Sequence, residues 1–591
     1  MTQAEYQNEL RLKSGPTIMN YIRRFSATEK AVFGALVAIA CIAAFSMAWQ
    51  VRAMLTVEVP ARGGSLREGA IGLPRDINPV LAVTDVDSSI SALVYSGLMR
   101  EENGNLVPDL ASSYSVSPDG LTYAFTLKDG LHFQDGSPLT ADDVVFTVQK
   151  IQDAALKSPL RADWQNISAA ASSTDVVVFT LKQPYAPFLS NTTVGILPKH
   201  LWGGLSDDQF SLSQLNIEPV GSGPYQESSI SRDSGGIPTS YSLVPWKGYY
   251  GQAPHIGSIV FSFFPDQDKA LSALDSGSID SLPSVPPDAA SRLASDSAQP
   301  YTIATAPLPR IFGVFFNQNQ APVLADKNVR AALDMTAPRQ AIVDQALYGY
   351  GVPIDGPLPV LDPSSASSAS STAAQQPSDA STSIAAAQAL LEKNGWKKDP
   401  VTGIYQNQPK GAKSATALSF DIYTADAPDL KEAADLLKSA WTALGAQVSV
   451  KVFEPSDLYQ NVIRPRKYDA LLFGEFIGQD RDLYAFWHSS ERNSPGLNIA
   501  MYANSKADKI LESIRTASDD ATRASLYSQF ANVIAADDPA VFLYSPDFIY
   551  AIPRSLHNVD LSGINVPSDR FANVTDWYMD TERVWKIFAR R

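Results

Sequence analysis

One stretch of the sequence governs how everything after it can fold. Ala31 to Trp49 (AVFGALVAIACIAAFSMAW) runs 19 residues without a charge. A helix rising about 1.5 Å per residue over that length just crosses the hydrocarbon core of a bilayer. No other run approaches spanning length, so the remainder is expected as a large soluble mass on one side. Arg23, Arg24 and Lys30 precede the run and favour a cytoplasmic N-terminus, although Arg52, Arg62 and Arg67 follow it. The segment reads as an uncleaved signal anchor rather than a removable signal peptide. Residues 1–30 are long for a signal n-region, and no clean A-x-A site follows the apolar run. Trp49 suits the outer interface of the membrane. Cys41 follows Ala38-Ile39-Ala40, but the leucine that opens a lipobox is missing and apolar sequence continues past it. It is read as a lipid-facing thiol, not a lipidation site. The expected topology is a cytoplasmic tail at 1–30, a transmembrane anchor at 31–50 held in the lipid bilayer through residues 31–49, and an extracellular or periplasmic remainder.

With 591 residues, the chain exceeds what one hydrophobic core organises, so at least two lobes are expected. Its formal charge of −15 argues against a nucleic-acid partner, whose affinity needs clustered Lys and Arg against phosphate. The plain meaning of that acidity is solubility. Beyond Cys41 there is no cysteine, so the soluble part has neither disulfides nor thiol chemistry. A core of this size does not need them, even after export.

Local patterns alternate between strand and helix. Leu121, Tyr123, Phe125 and Leu127 alternate with Thr122, Ala124 and Thr126, and Asp175 to Lys182 (DVVVFTLK) repeats the pattern. Both predict half-buried strands. Asp129-Gly130 and Asp135-Gly136 read as turns. A helix is expected from Thr140, with Asp143 three residues on completing a capping box. Asp142 and Asp143 therefore read as capping and dipole-compensating groups rather than paired catalytic carboxylates. Ala433, Leu436, Leu437, Ala440, Trp441 and Leu444 recur at helical spacing, Gly445 stops the run, and Val448, Val450 and Val452 follow with period two. That succession is the grammar of an α/β lobe, with Trp441 in its core. Ser364 to Ser383 holds nine serines and no large apolar residue. It reads as a low-complexity surface loop, because it cannot bury enough surface to offset its ordering entropy.

Catalytic signatures are missing. The histidines, His132, His200, His255, His488 and His557, never form H-E-x-x-H. A structural zinc site lacks its cysteines. There is no G-x-S-x-G elbow or Walker A loop, and Gly349-Tyr350-Gly351 is followed by Val-Pro-Ile. No cofactor is expected.

A series of short segments resembles the family 5 extracellular solute-binding proteins, the dipeptide, oligopeptide and nickel binders. Arg62 to Arg67 (RGGSLR) with Asp76-Ile77-Asn78-Pro79 is similar to that family's opening strand and turn. Tyr95-Ser96-Gly97-Leu98, Pro108-Asp109-Leu110-Ala111, Ser117-Pro118-Asp119-Gly120, Lys128-Asp129-Gly130, Phe133-Gln134-Asp135-Gly136 and Asp142-Asp143-Val144 follow in family order. Gly221-Ser222-Gly223-Pro224-Tyr225 resembles its G-T-G-P-Y turn, and Asn317 with Val329-Arg330-Ala331-Ala332-Leu333 its second-lobe elements. Asp480-Arg481-Asp482-Leu483-Tyr484 with Phe486-Trp487-His488-Ser489 is similar to its D-P-D loop, with arginine in place of proline. Tyr527 and Asp538-Pro539 complete a likeness running from about residue 61 to about 555.

The resemblance implies an α/β, two-lobe, periplasmic-binding-protein-like fold (type II, Venus flytrap) behind an N-terminal transmembrane helix. It puts lobe 1 at 61–305 plus 540–591, with an inserted subdomain at about 85–185, and lobe 2 at 306–539. It further implies a monomeric, non-enzymatic component of an ABC importer, closing on a peptide and delivering it to membrane permease subunits. A peptide's ammonium group needs a carboxylate when removed from water. In peptide-binding relatives an aspartate of the D-P-D region takes that role, so Asp480 is the first candidate and Asp482 the second. Each has the alternative of capping a neighbouring turn. Phe476 and Trp487 bracket the loop as apolar walls or as core packing. Tyr225 either faces the cleft or fixes its turn. Arg481 is the candidate partner for a peptide C-terminus or another carboxylate. Three rival readings stand beside this one: a binder of a metal chelate or oligosaccharide, an anchored hydrolase, and a signalling ectodomain needing a separate membrane partner.

Overall fold

The computed structural model describes residues 25–102, 104–295, 299–359, 380–408, 414–478, 482–517 and 519–587. They group into two units, one of Met1–Ala61 with Asp580–Arg591 and one of Arg62–Met579.

In the first unit a 29-residue helix, Ala27–Leu55, contains the uncharged run. Its stretch Ala27–Val51 is long and apolar enough to cross a membrane. The helix passes directly into the strand Thr56–Pro60, which pairs antiparallel with Thr581–Trp585. The chain from Asp580 onward, which the resemblance puts in lobe 1, therefore groups with the N-terminal segment.

The second unit is a two-lobe α/β structure. In the first lobe, Gly63–Ile71 lies parallel to Ile256–Phe264, and Pro238–Pro245 and Tyr225–Arg232 continue the sheet antiparallel. A smaller antiparallel sheet takes Ala111–Val116, Thr122–Leu127, Val176–Leu181 and Ile167–Ala171 in that order. The alternation of Tyr123, Phe125 and Leu127 is realised here, these three being buried and their neighbours half-exposed. The helix Ala141–Gln152 opens with the expected box, Thr140 N–H donating to Asp143 Oδ2 at 2.8 Å. Asp143 also accepts the Lys199 N–H at 2.9 Å, and Asp142 pairs with Lys199 Nζ at 3.3 Å. Both aspartates are structural. The two ends of this unit come together. Gly64, at φ +78°, lies so close to Met579 that an added Cβ would meet Sδ at 2.9 Å.

The second lobe is built on a sheet ordered Tyr301–Pro307, Ala540–Pro553, Arg310–Phe316, Ala470–Phe476, Ser419–Ala425 and Gln447–Phe453, with Gly351–Pro353 against Ala540–Pro553. Ser419–Ala425 and Gln447–Phe453 are parallel and joined by the helix Pro428–Leu444. Gly445 ends that helix at φ 116°, a conformation costly for any residue with a Cβ. Trp441 is fully buried, and its indole N–H donates to the Leu333 carbonyl at 3.0 Å. Most of the serine-rich segment lies outside the described residues, and its last members belong to the helix Ala380–Lys393.

The long strand Ala540–Pro553 and the segment running through Tyr301–Pro307 and Arg310–Phe316 beside it cross between the lobes as a two-stranded hinge. Ala540–Tyr544 pairs with Phe312–Phe315 against the second core, whereas Asp547–Pro553 pairs with Tyr301–Pro307, and Phe548, Tyr550 and Ile552 enter the first core. At the crossing, the buried Ser545 hydroxyl donates to the carbonyls of Leu308 (3.0 Å) and Arg310 (2.8 Å). The Leu308 N–H donates to the Pro546 carbonyl at 3.0 Å. These bonds satisfy main-chain groups where the ladder changes partners.

The long strand is fastened at each end. In the first lobe, Glu68 is fully buried and accepts from Tyr550 Oη at 2.5 Å, Ser281 Oγ at 3.2 Å and the Arg570 guanidinium. In the second, Arg330 of the V-R-x-A-L segment donates to the carbonyls of Asp537 (2.6 Å), Asp538 (2.8 Å), Leu324 and Ala325 (3.0 Å each). It thereby fixes the left-handed turn at Asp538, φ 46°, from which the strand begins.

Candidate ligand cleft

A cleft of about 970 Å³ opens beside this hinge. First-lobe residues line most of it, among them the Tyr95–Gly97 turn, Arg100–Glu102, Asp109, Asp163, Asn191 and Tyr249–Gln252. The late segment Asn558–Asp576 forms a further wall, and Phe476 and Gly478 reach it from the second lobe. The volume falls in the range of pockets that enclose a small organic guest.

Its charge is one-sided. Glu101, Glu102, Asp109, Asp163, Asp560, Asp569 and Asp576 stand against Arg100 and Lys128 among the described lining residues. Arg100 is shared between Glu102 at 2.7 Å and Asp109 at 3.8 Å. Asp109 accepts the Tyr250 hydroxyl at 2.7 Å, and burial raises its pKa above the usual carboxylate value against these partners. Burial also raises Asp163, helped by the nearby Asp482 charge and opposed by Arg515. Asp569 is raised by burial while accepting the Val566 and Asn565 N–H groups at 2.9 Å. Low-dielectric walls bearing carboxylates focus a negative potential, which concentrates cationic groups. Tyr249 and Tyr250, with ring centroids 4.7 Å apart, supply apolar surface alongside, and Lys128 lies 4.9 Å over the Tyr250 ring.

The residues expected to form the site are scattered. Phe476, 41% exposed, lines the cleft, with the Arg310 guanidinium 5.6 Å from its ring. Trp487 does not reach it. That ring is fully buried in the second core against Phe315, Phe542, Tyr502 and Phe530. Tyr225 is likewise fully buried, and its hydroxyl donates to the Ile256 carbonyl at 3.1 Å. For both, packing is the role the structure gives. Asp482 accepts the Tyr484 N–H at 3.2 Å and pairs with Arg515 at 2.7 Å, so its charge is already answered. Arg515 also stacks 4.0 Å over Tyr484, and its carbonyl accepts the first-lobe Ala186 N–H at 3.0 Å. The Asp482–Arg515 pair thus sits where the lobes touch. Asp480 and Arg481 lie outside the described residues.

Sequence reasoning missed Asp163, the Tyr249–Tyr250 pair and the wall at Asn558–Asp576. The last falls beyond the resemblance, which ends near residue 555. The Tyr-Tyr-Gly run Tyr249–Gly251 was the available signal for the aromatic pair.

A Ser, His and Asp do meet at Ser137, His200 and Asp135, yet the Ser137 hydroxyl donates to Asp135 Oδ1 at 2.6 Å and lies 3.2 Å from Nε2 and 3.5 Å from Nδ1 of the His200 ring, whose Nε2 is 2.7 Å from Asp135 Oδ2. A relay holds the serine and the aspartate apart across the imidazole, whereas here they are bonded to each other. Among the described residues, no group of three or more His, Cys, Asp or Glu side chains could hold a metal ion.

The model of the bacterial extracellular solute-binding proteins, family 5 Middle, matches residues 105–494. Protein XP55 of Streptomyces lividans is 31% identical over 82% of this chain and 84% of its own length. The oligopeptide-binding protein AppA of Bacillus subtilis is 27% identical over 88% of this chain and 92% of its own. The structure of that AppA in complex with a nonapeptide superposes with a TM-score of 0.67 at 26% identity, covering 88% of this chain and all of that one. The ABC transporter substrate-binding protein CtaP of Listeria monocytogenes reaches 0.73 at 27% identity, covering 88% of this chain and 99% of that one. Matched by the family model over residues 105–494 and by these relatives over more than four fifths of their own length, the chain belongs to the family 5 bacterial extracellular solute-binding proteins.

Proposed function

We propose that this protein captures peptides outside the cell and hands them, chemically unaltered, to the permease of an ABC importer. The observation that carries the reading is the acidic cleft beside a two-strand hinge. A peptide's ammonium group is the cation such a cleft selects, and the backbone of an extended peptide can exchange water for fixed protein partners when the lobes close. Asp163 is the described carboxylate best suited to the ammonium, being raised by burial and close to the Asp482–Arg515 contact between lobes. The family resemblance assigns the same role to Asp480. Phe476 supplies an apolar wall. The relatives named for oligopeptides support the peptide reading. No catalytic step is assigned to Ser137, His200 and Asp135, since the Ser137 hydroxyl donates to Asp135 itself.

In this reading Ala27–Leu55 crosses the membrane once and keeps a monomeric binder near its permease, raising its effective concentration there. The test uses the full-length protein in nanodiscs, with native mass spectrometry for co-purified guests and calorimetry on a defined peptide series. Intact peptides should bind, and N-terminal acetylation should weaken them about tenfold, the equivalent of one charge-assisted contact. Indifference to every peptide alongside binding of a metal chelate or oligosaccharide, or recovery of cleaved guests, overturns the proposal.

A further inference from the structure

We infer that the segment Trp585–Ile587 rests on the surface of the membrane entered by Ala27–Leu55, giving this chain a second lipid contact beside its helix. The inference rests on the reading of that helix as a membrane span, and three observations carry it.

The first is register. The helix runs without a loop into Thr56–Pro60. In the antiparallel pairing Pro60 faces Thr581 and Thr56 faces Trp585, so the chain from 581 to 585 walks back toward the helix end. The ladder then continues onto the helix itself, because the Lys586 N–H donates to the Leu55 carbonyl at 2.8 Å. The Lys586 main-chain N–H thereby satisfies one of the orphan carbonyls of the helix C-terminus.

The second is depth. The apolar span ends at Val51. Leu55 lies four residues on, about 6 Å farther along the axis at 1.5 Å per residue. The headgroup layer outside the hydrocarbon core is about 5–8 Å thick on each side. Residues bonded to Leu55 therefore fall at headgroup depth.

The third is what the segment shows to its surroundings. Trp585 is 48% exposed, Ile587 82% and Met54 72%. A two-stranded ribbon is marginal in water on its own, and here its end presents apolar side chains with a lysine between them. Tryptophan and lysine are the residues that settle at a membrane interface, the ring among the headgroups and the ammonium against phosphate. The occupant is a lipid surface, preferentially an anionic one.

The experiment replaces Cys41 by serine and places single spin labels in the full-length protein. The sites are Ile587→Cys, Ala43→Cys within the helix, and Val401→Cys, a 91% exposed position in the soluble body. Nanodiscs are made of phosphatidylcholine alone or with phosphatidylglycerol, and accessibility to oxygen is compared with accessibility to a polar nickel chelate. The oxygen-to-nickel ratio at 587 should exceed that at 401 by about threefold, as expected at an interface. It should rise further with phosphatidylglycerol and lose that rise in Lys586→Glu. A label at 587 as aqueous as at 401, while 43 is lipid-embedded, overturns the surface contact and leaves the span standing. If 43 is aqueous as well, the span itself has failed and the inference falls with it.

Discussion

The strand Ala540–Pro553 is fastened in its two lobes by two arginines that work differently. In the first lobe Arg570 answers a fully buried carboxylate, Glu68, which also binds the strand's own Tyr550. In the second, Arg330 donates to main-chain carbonyls around Asp538, with the Asp537 and Asp538 charges nearby. A buried charge pair tolerates no missing partner, whereas carbonyls can turn toward water. The rigid fastening belongs to the lobe that lines most of the cleft. The softer one belongs to the lobe that contributes Phe476 and Gly478. This asymmetry suits a wall that holds a guest and a second lobe that swings.

The largest expected effect breaks the first fastening. Glu68→Ala should lower stability by about 3–5 kcal/mol, because it strands the Arg570 charge in the core. Arg330→Met should cost about 2–3 kcal/mol. The double change Glu68→Leu with Arg570→Met should recover much of the first loss. Urea titration followed by tryptophan fluorescence reads all three, and an Arg330 cost above that of Glu68 would reverse the comparison.

Within the second lobe, two aromatic residues differ in setting, Trp487 buried in the core and Phe476 open to the cleft. Trp487→Ala should destabilise by about 3–5 kcal/mol through the cavity it leaves. Phe476→Ala should leave stability within about 0.5 kcal/mol and weaken peptide binding severalfold. The same pair of measurements on both variants decides it, and equal stability losses would place Phe476 in the core.

Across the cleft, Asp163→Asn should reduce peptide affinity about tenfold without unfolding the protein. Calorimetry beside Asp480→Ala then sharpens which lobe holds the ammonium. If Asp163→Asn is silent and Asp480→Ala is not, the second lobe supplies the charge.

The smallest effect is on pH. Asp538, where the long strand begins, and Asp547, just past the crossing, are both pushed up from 3.8 to about 6, burial being the largest cause for each. The folded chain therefore binds these two protons more readily than the unfolded chain. Their stabilising contribution is complete below pH 3.8 and is lost as the pH rises through 6. Asp538→Asn with Asp547→Asn should flatten that part of the melting-temperature profile, and an unchanged slope would remove both groups from the account.

How much of this could be read beforehand depended on whether the cause was local. Thr140 and Asp143, Gly445, and the buried stripe through Trp441 were legible because capping and periodicity act over a few residues. Tyr225 and Trp487 show the limit of motif reading. Each lies in a family-like segment, and neither segment tells which face of the backbone its ring leaves from. Asp482 was legible as an aspartate but not as a spent one, since its partner Arg515 comes 33 residues later. The cleft joins residues near 100, 163, 250 and 570, and no local pattern announces that meeting.

The close approach of Gly64 and Met579 gives the soluble body a single doorway through which the chain both enters and leaves. A body entered and left at one point can be lifted out as a cassette, or grafted onto a different stalk, without cutting any strand of either lobe.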